Sequence, residues 1–241
     1  MWLLSNKILM ADSGILEGFC DWHCHLLPGV DDGVQDVGET LHILDEWEML
    51  GVETVWLTPH IMEDMPNRPV DLRKGFGALK TRYTGRIKLH LAAEHMMDGP
   101  FAKQLEEDDV LPIGYRHNRL LVETSYYTPP MNLAETIDSV KAKGYDPLLA
   151  HPERYQYMGR QDYHHWKNQG VLFQLNLPSV LGAYGPEVQQ KAEWLLKENM
   201  YECCGTDTHA IEQIGLLLNS KINKKTAERI KRISASANRL L

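Results

Sequence analysis

The sequence predicts an α/β fold whose mainly parallel sheet closes, or nearly closes, into a barrel. Three observations carry that prediction. Seven short apolar runs recur along the 241 residues, amphipathic segments separate them, and ionisable residues cluster directly after the runs. An open doubly wound sheet is the structural alternative.

The runs are Phe19–His23, Thr54–Thr58, Lys88–Ala93, Leu120–Thr124, Pro147–Ala150, Val171–Leu175 and Tyr201–Gly205. Each is bounded by turn residues, as strands buried on both faces are. The intervening segments read as helices. Asp36 with Glu39 resembles a capping box, Val37, Leu41, Leu44 and Trp47 share one face, and Gly51 suits the exit. Asn132 with Glu135 opens another helix, which Gly144 closes. Pro186 fits a first helical position, with Val188, Ala192 and Leu195 turned inward. The basic tail from Lys221 to Leu241 reads as a packing helix. The length fits one domain over residues 1–241, with 211–241 packing on it as a helical segment.

Composition narrows the function. The net charge is -8 without basic runs, which disfavours nucleic-acid binding and so a nuclease. Cys20, Cys24, Cys203 and Cys204 form no Cys-x-x-Cys pair and no disulfide framework. The start, Met1–Gly18, is broken by polar residues and lacks the apolar core of a signal peptide. No run of about 18 apolar residues predicts a membrane span. A cytoplasmic setting fits.

The chemistry follows the runs. After them come His23-Cys24-His25 with Asp31-Asp32, then His60, Glu94-His95, Glu123, His151-Pro152-Glu153-Arg154, and Asp207-Thr208-His209. Only the sixth run lacks an ionisable residue there and ends at Asn176. In a barrel the carboxyl ends of the strands converge on one face. Period-two alternation aims both imidazoles of His23-x-His25, and both side chains of Asp207-x-His209, to one side. A lone His at a strand end is more often a hydrogen-bonded structural residue, and a lone Glu123 could be a salt-bridged one. Five of the eleven histidines together with several acids are costly to bury unless they hold metal. Mixed imidazole and carboxylate donors suit Mn, Fe or Zn better than Ca, and there are more of them than one ion needs. His42, His164 and His165 read as surface residues, Met49, Met96 and Met97 as packing, His90 as lower in the barrel, and His95 as no ligand.

Asp21-Trp22-His23-Cys24-His25 with Pro28-Gly29-Val30-Asp31-Asp32-Gly33 resembles the first motif of the PHP (polymerase and histidinol phosphatase) superfamily. Within it the match is closest to bacterial tyrosine-protein phosphatases of the capsular and exopolysaccharide type. Thr58-Pro59-His60, Ala93-Glu94, Val122-Glu123, Ala150-His151-Pro152-Glu153-Arg154-Tyr155 and Gly205-Thr206-Asp207-Thr208-His209 match the later motifs in order, within residues 18–210. The number of donors suggests two or three divalent ions, Mn first, with Fe or Zn as alternatives, and the resemblance implies a distorted seven-stranded (β/α)7 TIM-like barrel holding three, commonly Mn or Fe. Its ligands would be His23, His25, Asp32, His60, Glu94, Glu123, His151, Asp207 and His209, with Asp32 chosen over Asp31 and Glu123 a bridging candidate. Arg154 would hold the phosphate, and Arg154, Asp207 and His209 would form the catalytic set. The bland alternative for Arg154 is a salt bridge to Glu153 or another acid. Relatives often carry a further Arg soon after the last His. Here Ala-Ile-Glu-Gln-Ile-Gly follows His209, so Arg68 becomes the candidate second phosphate ligand.

The implied reaction is phosphomonoester hydrolysis by a metal-bridging hydroxide attacking phosphorus in line. No Cys is followed six positions later by Arg, so a Cys-x5-Arg nucleophile loop is absent. The implied partner is a phosphotyrosine protein, the Tyr-rich tail of a bacterial tyrosine kinase. A small-molecule phosphatase, such as one acting on histidinol phosphate, and a non-catalytic metal-stabilised binding module are the rivals.

Overall fold

The computed structural model describes residues 6–240, with side chains to 237. Met1–Ser5 of the polar-broken start, and Leu241, lie outside the described residues. Strand β1 (Lys7–Leu9) is followed by β2 (Cys20–Cys24), α1 (Val37–Met49), β3 (Thr54–Leu57), β4 (His60–Ile61) and α2 (Pro69–Arg82). Then come β5 (Lys88–Leu91), β6 (Glu94–Met96), α3 (Phe101–Glu106), β7 (Arg119–Glu123), α4 (Leu133–Ala142) and β8 (Asp146–Ala150). A helical turn at Pro152–Arg154 leads to α5 (Arg160–Asn168), β9 (Leu172–Asn176), α6 (Leu177–Leu181) and α7 (Pro186–Lys197). The chain closes with β10 (Cys203–Gly205), α8 (Ile211–Asn219), β11 (Lys221–Asn223) and α9 (Lys224–Leu240).

All seven predicted runs contain strands. They form a mixed α/β fold with a curled parallel sheet, written as two ladders: β2-β3-β5 and β10-β9-β8-β7-β6-β4. Two interruptions divide them. Thr58-Pro59 separates β3 from β4, and Ala92-Ala93 separates β5 from β6, yet the same two chain segments stay paired on both sides of the break. Pro59 has no N–H to donate, so the ladder cannot run through it. At the far edge β2 runs beside β10: Asp207 N donates to His23 O at 2.7 Å and His25 N to Thr208 O at 2.9 Å.

Strand β2 carries an irregularity that matters to the site. Asp21 pairs with Val55 but Cys24 with Leu57, so β2 has one extra residue there. Such a bulge re-phases alternation. Trp22 consequently stacks on Trp56, with centroids 5.6 Å apart, while its neighbour His23 also turns inward to Gln174.

The interior has two levels. Below, Cys20, Trp22, Trp56, Leu121, Leu148 and Cys203 form an apolar plug that Ala237 of α9 joins. His90 sits at this level, its ring 4.5 Å from that of Trp56. Above lie the ionisable side chains. The outer faces of the strands (Val55, Leu57, Val122, Leu149, Phe173) pack on helical Ile43, Leu44, Trp47 and Leu195. Truncating a buried aromatic such as Trp56 would cost ~3–5 kcal/mol.

The helix signals hold with corrections. Asp36 Oδ1 accepts from Gly38 N and Glu39 N, but Glu39 does not complete the box. Its Oε1 accepts instead from Ile211 N, at the start of α8. Asn132 precedes α4 without a side-chain cap. Met49 is exposed rather than packed. The pair β1–β11 was not predicted, since three residues carry too little periodicity to read. No described helix is long and apolar enough to cross a membrane.

Candidate metal centre

The carboxyl ends of the strands deliver the ionisable residues to one place, and all nine candidate ligands meet there. Four overlapping groups form, with ligand atoms within 4.8 Å of one another: His25, Asp32, His60 and His209; His23, His25 and Asp207; His23, Glu94 and His151; His60, Glu94 and Glu123. Glu94 is the most central. Its Oε2 lies 3.1 Å from His23 Nε2, 3.4 Å from His25 Nε2 and 3.3 Å from His60 Nδ1, and its Oε1 lies 2.9 Å from His151 Nε2. Glu123 touches His60 Nδ1 at 3.0 Å and His151 Nε2 at 3.9 Å.

Neighbours fix the imidazoles. His25 Nδ1 donates to Asp31 Oδ2 at 2.8 Å and His23 Nδ1 to Gln174 Oε1 at 3.0 Å. An Nδ1–H committed in this way leaves Nε2 as the free lone pair. The two Nε2 atoms then face each other at 3.1 Å, two lone pairs aimed at one point. A shared cation resolves that clash. His60 Nδ1 and Glu123 Oε1 are buried without hydrogen-bond geometry although only 3.0 Å apart, as two ligands of one ion are. The donor set therefore fits divalent metal.

The adjacent aspartates have different partners. Asp31 also accepts from Gly33 N and His60 N, at 3.0 and 3.1 Å, which makes it a brace. Asp32 is half exposed, 3.6 Å from both His60 Nε2 and His209 Nε2.

Electrostatics follow from burying these charges together. Burial pulls His23 down, but Glu94 and Asp207 outweigh it and raise it to about 9. His25 is likewise raised against its burial by the hydrogen bonds it donates to Asp207, Asp31 and Glu94. Burial works against the charge on Asp31, yet the His25 contacts lower it to about 2. Asp207 is driven well below the carboxylate range, its burial outweighed by His23, His25 and His151. Without metal, these pairs hold protons that cations displace. Two candidate ligands also adopt left-handed backbone: His151 at φ 34° and Asp207 at φ 53°. Such conformations cost ~1–3 kcal/mol each and cluster at functional sites.

Arg154 does not pair with Glu153. Its Nη1 donates to Asp207 Oδ2 at 2.8 Å, and Asn176 Nδ2 donates to the same oxygen at 2.8 Å. Glu153 is turned away, accepting from Asn176 N and Tyr201 OH. Its burial raises its pKa. Arg68 stands at the start of α2, largely exposed, with Nε 3.6 Å from Asp109 Oδ2, and among the described residues no ion pair links it to the cluster. The stretch after His209 is α8, so no Arg arrives there either.

The remaining histidines separate cleanly. His95 turns outward: its Nδ1 donates to Leu121 O, its Nε2 accepts from Leu111 N, and burial lowers it to about 4. His42 is exposed beside Glu46, and His164 and His165 are exposed on α5. Sequence reasoning missed Gln174 and Asn176 as site residues. Both lie on the inward parity of β9, and that parity was the available signal.

Known proteins resemble this chain. Tyrosine-protein phosphatase YwqE of Bacillus subtilis (strain 168) is 25% identical over 198 residues, 80% of this chain and 78% of that protein. Tyrosine-protein phosphatase CpsB of Streptococcus agalactiae is 24% identical over 203 residues, 80% of this chain and 83% of that protein. A solved structure from work on YwqE of Bacillus subtilis and CpsB of Streptococcus pneumoniae, described as metal-dependent tyrosine phosphatases, has a TM-score of 0.75 at 21% identity. It covers 88% of this chain and 86% of its own, and supports the fold. The family model for capsular polysaccharide synthesis, CpsB/CapC, matches residues 19–235, and the chain belongs to that family.

Proposed function

We propose that this chain is a metal-dependent phosphomonoester hydrolase that removes phosphate from phosphotyrosine in proteins. The observation that carries it is the convergence of nine imidazole and carboxylate ligands with one partly open guanidinium beside them. The names of the relatives supply the substrate class. The curled sheet reads as a distorted seven-stranded barrel of the PHP type, forming one domain over 1–241 with α8 and α9 packed on it.

His23, His25, Asp32, His60, Glu94, Glu123, His151, Asp207 and His209 would hold two or three ions, Mn first by donor chemistry, with Fe or Zn as alternatives. Glu123, the bridging candidate of the resemblance, meets two imidazoles, and Glu94, which meets four, would be a second carboxylate able to serve more than one ion. When bound, the ions supply positive charge for the phosphoryl oxygens and lower the pKa of a nucleophilic water. Asp31 and Gln174 orient the imidazoles. Arg154 binds phosphoryl oxygens through its free N–H groups, and its fork can match two at once. Asp207, whose same carboxylate oxygen also accepts from Asn176 Nδ2, holds the opposite edge of that fork. The four cysteines are buried, and burial raises their thiols, so no thiolate nucleophile is at hand.

The proposed partner is the Tyr-rich tail of a bacterial tyrosine kinase, in the cytoplasm. A substrate panel tests this reading with Mn-loaded protein. Turnover of phosphotyrosyl peptides well above that of histidinol phosphate is expected. The reverse order would make it a small-molecule phosphatase, and tight peptide binding without turnover would make it a binding module.

A further inference from the structure

The Arg154 guanidinium lies between two aromatic rings. Its Cζ is 4.3 Å from the centroid of Tyr126 and 4.4 Å from that of Tyr184. The rings come from separate segments: Tyr126 follows β7, and Tyr184 lies between α6 and α7. One edge of the fork is tied, through Nη1, to Asp207 Oδ2. Among the described residues no other hydrogen bond or ion pair engages the guanidinium, and the side chain keeps 18% exposure. Arginine has five N–H donors. Two rings therefore flank the cation and one donor is fixed, while the remaining donors have no protein partner among the described residues. Arg154 and Tyr184 together line a groove of about 330 Å³ with Gly185, Val188 and Lys191.

A free Arg side chain must surrender rotamer freedom when it grips an anion. Ring faces attract a guanidinium and restrict it to the plane between them before the anion arrives. We propose that Tyr126 and Tyr184 are positioning residues, whose ring faces hold Arg154 in the orientation in which it takes a phosphoryl group. This rests on the reading of Arg154 as a phosphate ligand. The hydroxyl of Tyr184 has a separate task, accepting from Asn176 Nδ2 at 3.2 Å. The role assigned here belongs to the rings, so phenylalanine should serve as well as tyrosine.

The test measures KM and kcat for a phosphotyrosyl peptide, the inhibition constant of inorganic phosphate, and bound metal. The proteins are wild type, Tyr126→Ala, Tyr184→Ala, Tyr184→Leu, Tyr184→Phe, Arg154→Ala and the double variant Arg154→Ala/Tyr184→Ala. Each Tyr→Ala change should weaken phosphate inhibition about five- to tenfold, the size of a desolvated cation–π contact, with metal content unchanged. Tyr184→Phe should stay within about twofold of wild type. In the Arg154→Ala background, loss of Tyr184 should add nothing. Tyr184→Leu keeps bulk without a ring and should match Tyr184→Ala, which guards against a folding defect in either variant. Normal phosphate inhibition in Tyr184→Ala or Tyr184→Leu, with Arg154→Ala impaired, would overturn the clamp. So would an equal loss in the Arg154→Ala background. If Arg154→Ala itself inhibits normally with phosphate, the phosphate-ligand reading falls, and the clamp with it.

Discussion

Gln174→Leu tests how far the site depends on a neutral residue. Gln174 is fully buried on β9, and its Oε1 accepts from His23 Nδ1 at 3.0 Å and from His151 N at 3.2 Å. Leucine has similar bulk and no acceptor. Two buried donors would lose their partner at ~1–3 kcal/mol each, so the metal-free protein should lose ~2–6 kcal/mol. At about 2–4 °C per kcal/mol for a chain of this size, melting falls by roughly 5–20 °C. The His23 ring would also lose the bond that directs Nε2 to the ions, and such a loss costs about 10–100-fold in metal affinity. Gln174→Glu keeps an acceptor at the same place and should recover most of the affinity. Thermal melts in chelator, followed by Mn titration calorimetry, read both quantities. Wild-type melting and affinity in Gln174→Leu would refute the orienting role and the tautomer assigned to His23.

Three further outcomes follow from the same geometry. Asp31→Ala and Asp32→Ala should behave oppositely: the first should cost ~2–3 kcal/mol of stability at neutral pH, from a carboxyl lowered from 3.8 to about 2, and the second little stability but much turnover. The Asp31 contribution is present above its unfolded pKa and lost as pH falls towards 2, so urea melts of the two variants in chelator should converge near that pH. His95, lowered to about 4, stays neutral when folded while the unfolded chain takes up the proton near 6.5; stability should fall by ~3 kcal/mol between those pH values, and His95→Asn should flatten that limb in denaturant melts. Iodoacetamide at neutral pH should leave Cys20, Cys24, Cys203 and Cys204 unmodified and turnover intact, as mass spectrometry of the native protein would show; rapid labelling with inactivation would point to a thiol nucleophile.

The convergence of the candidate ligands was legible because strand ends announce themselves. Short apolar runs stop where a His or an acid begins, and the parity of His23-x-His25 survives folding. Trp22 shows where parity alone fails. It neighbours His23, yet both face the interior, because the extra residue in β2 re-phases the strand. A bulge is set by the register of two chains, which one chain's pattern does not contain. The breaks at Thr58-Pro59 and Ala92-Ala93 were hidden for a similar reason: each segment reads as a strand plus a motif, and only pairing shows where the ladder stops. Gln174 carried no charge to draw notice, and Glu39 looked like a partner for its own helix but caps α8 across 172 positions. The bland alternative for Arg154, an ion pair with Glu153 or another acid, left the acid open, and only the fold brings Asp207 to it across 53 positions.

The most direct test of the central claim is metal content measured alongside hydrolysis of a phosphotyrosyl peptide, before chelation, after it, and after refilling with Mn. The account predicts two or three ions per chain, with activity that vanishes on chelation and returns on refilling. A protein that takes up no metal on refilling, or that hydrolyses the peptide equally well without it, would contradict the account.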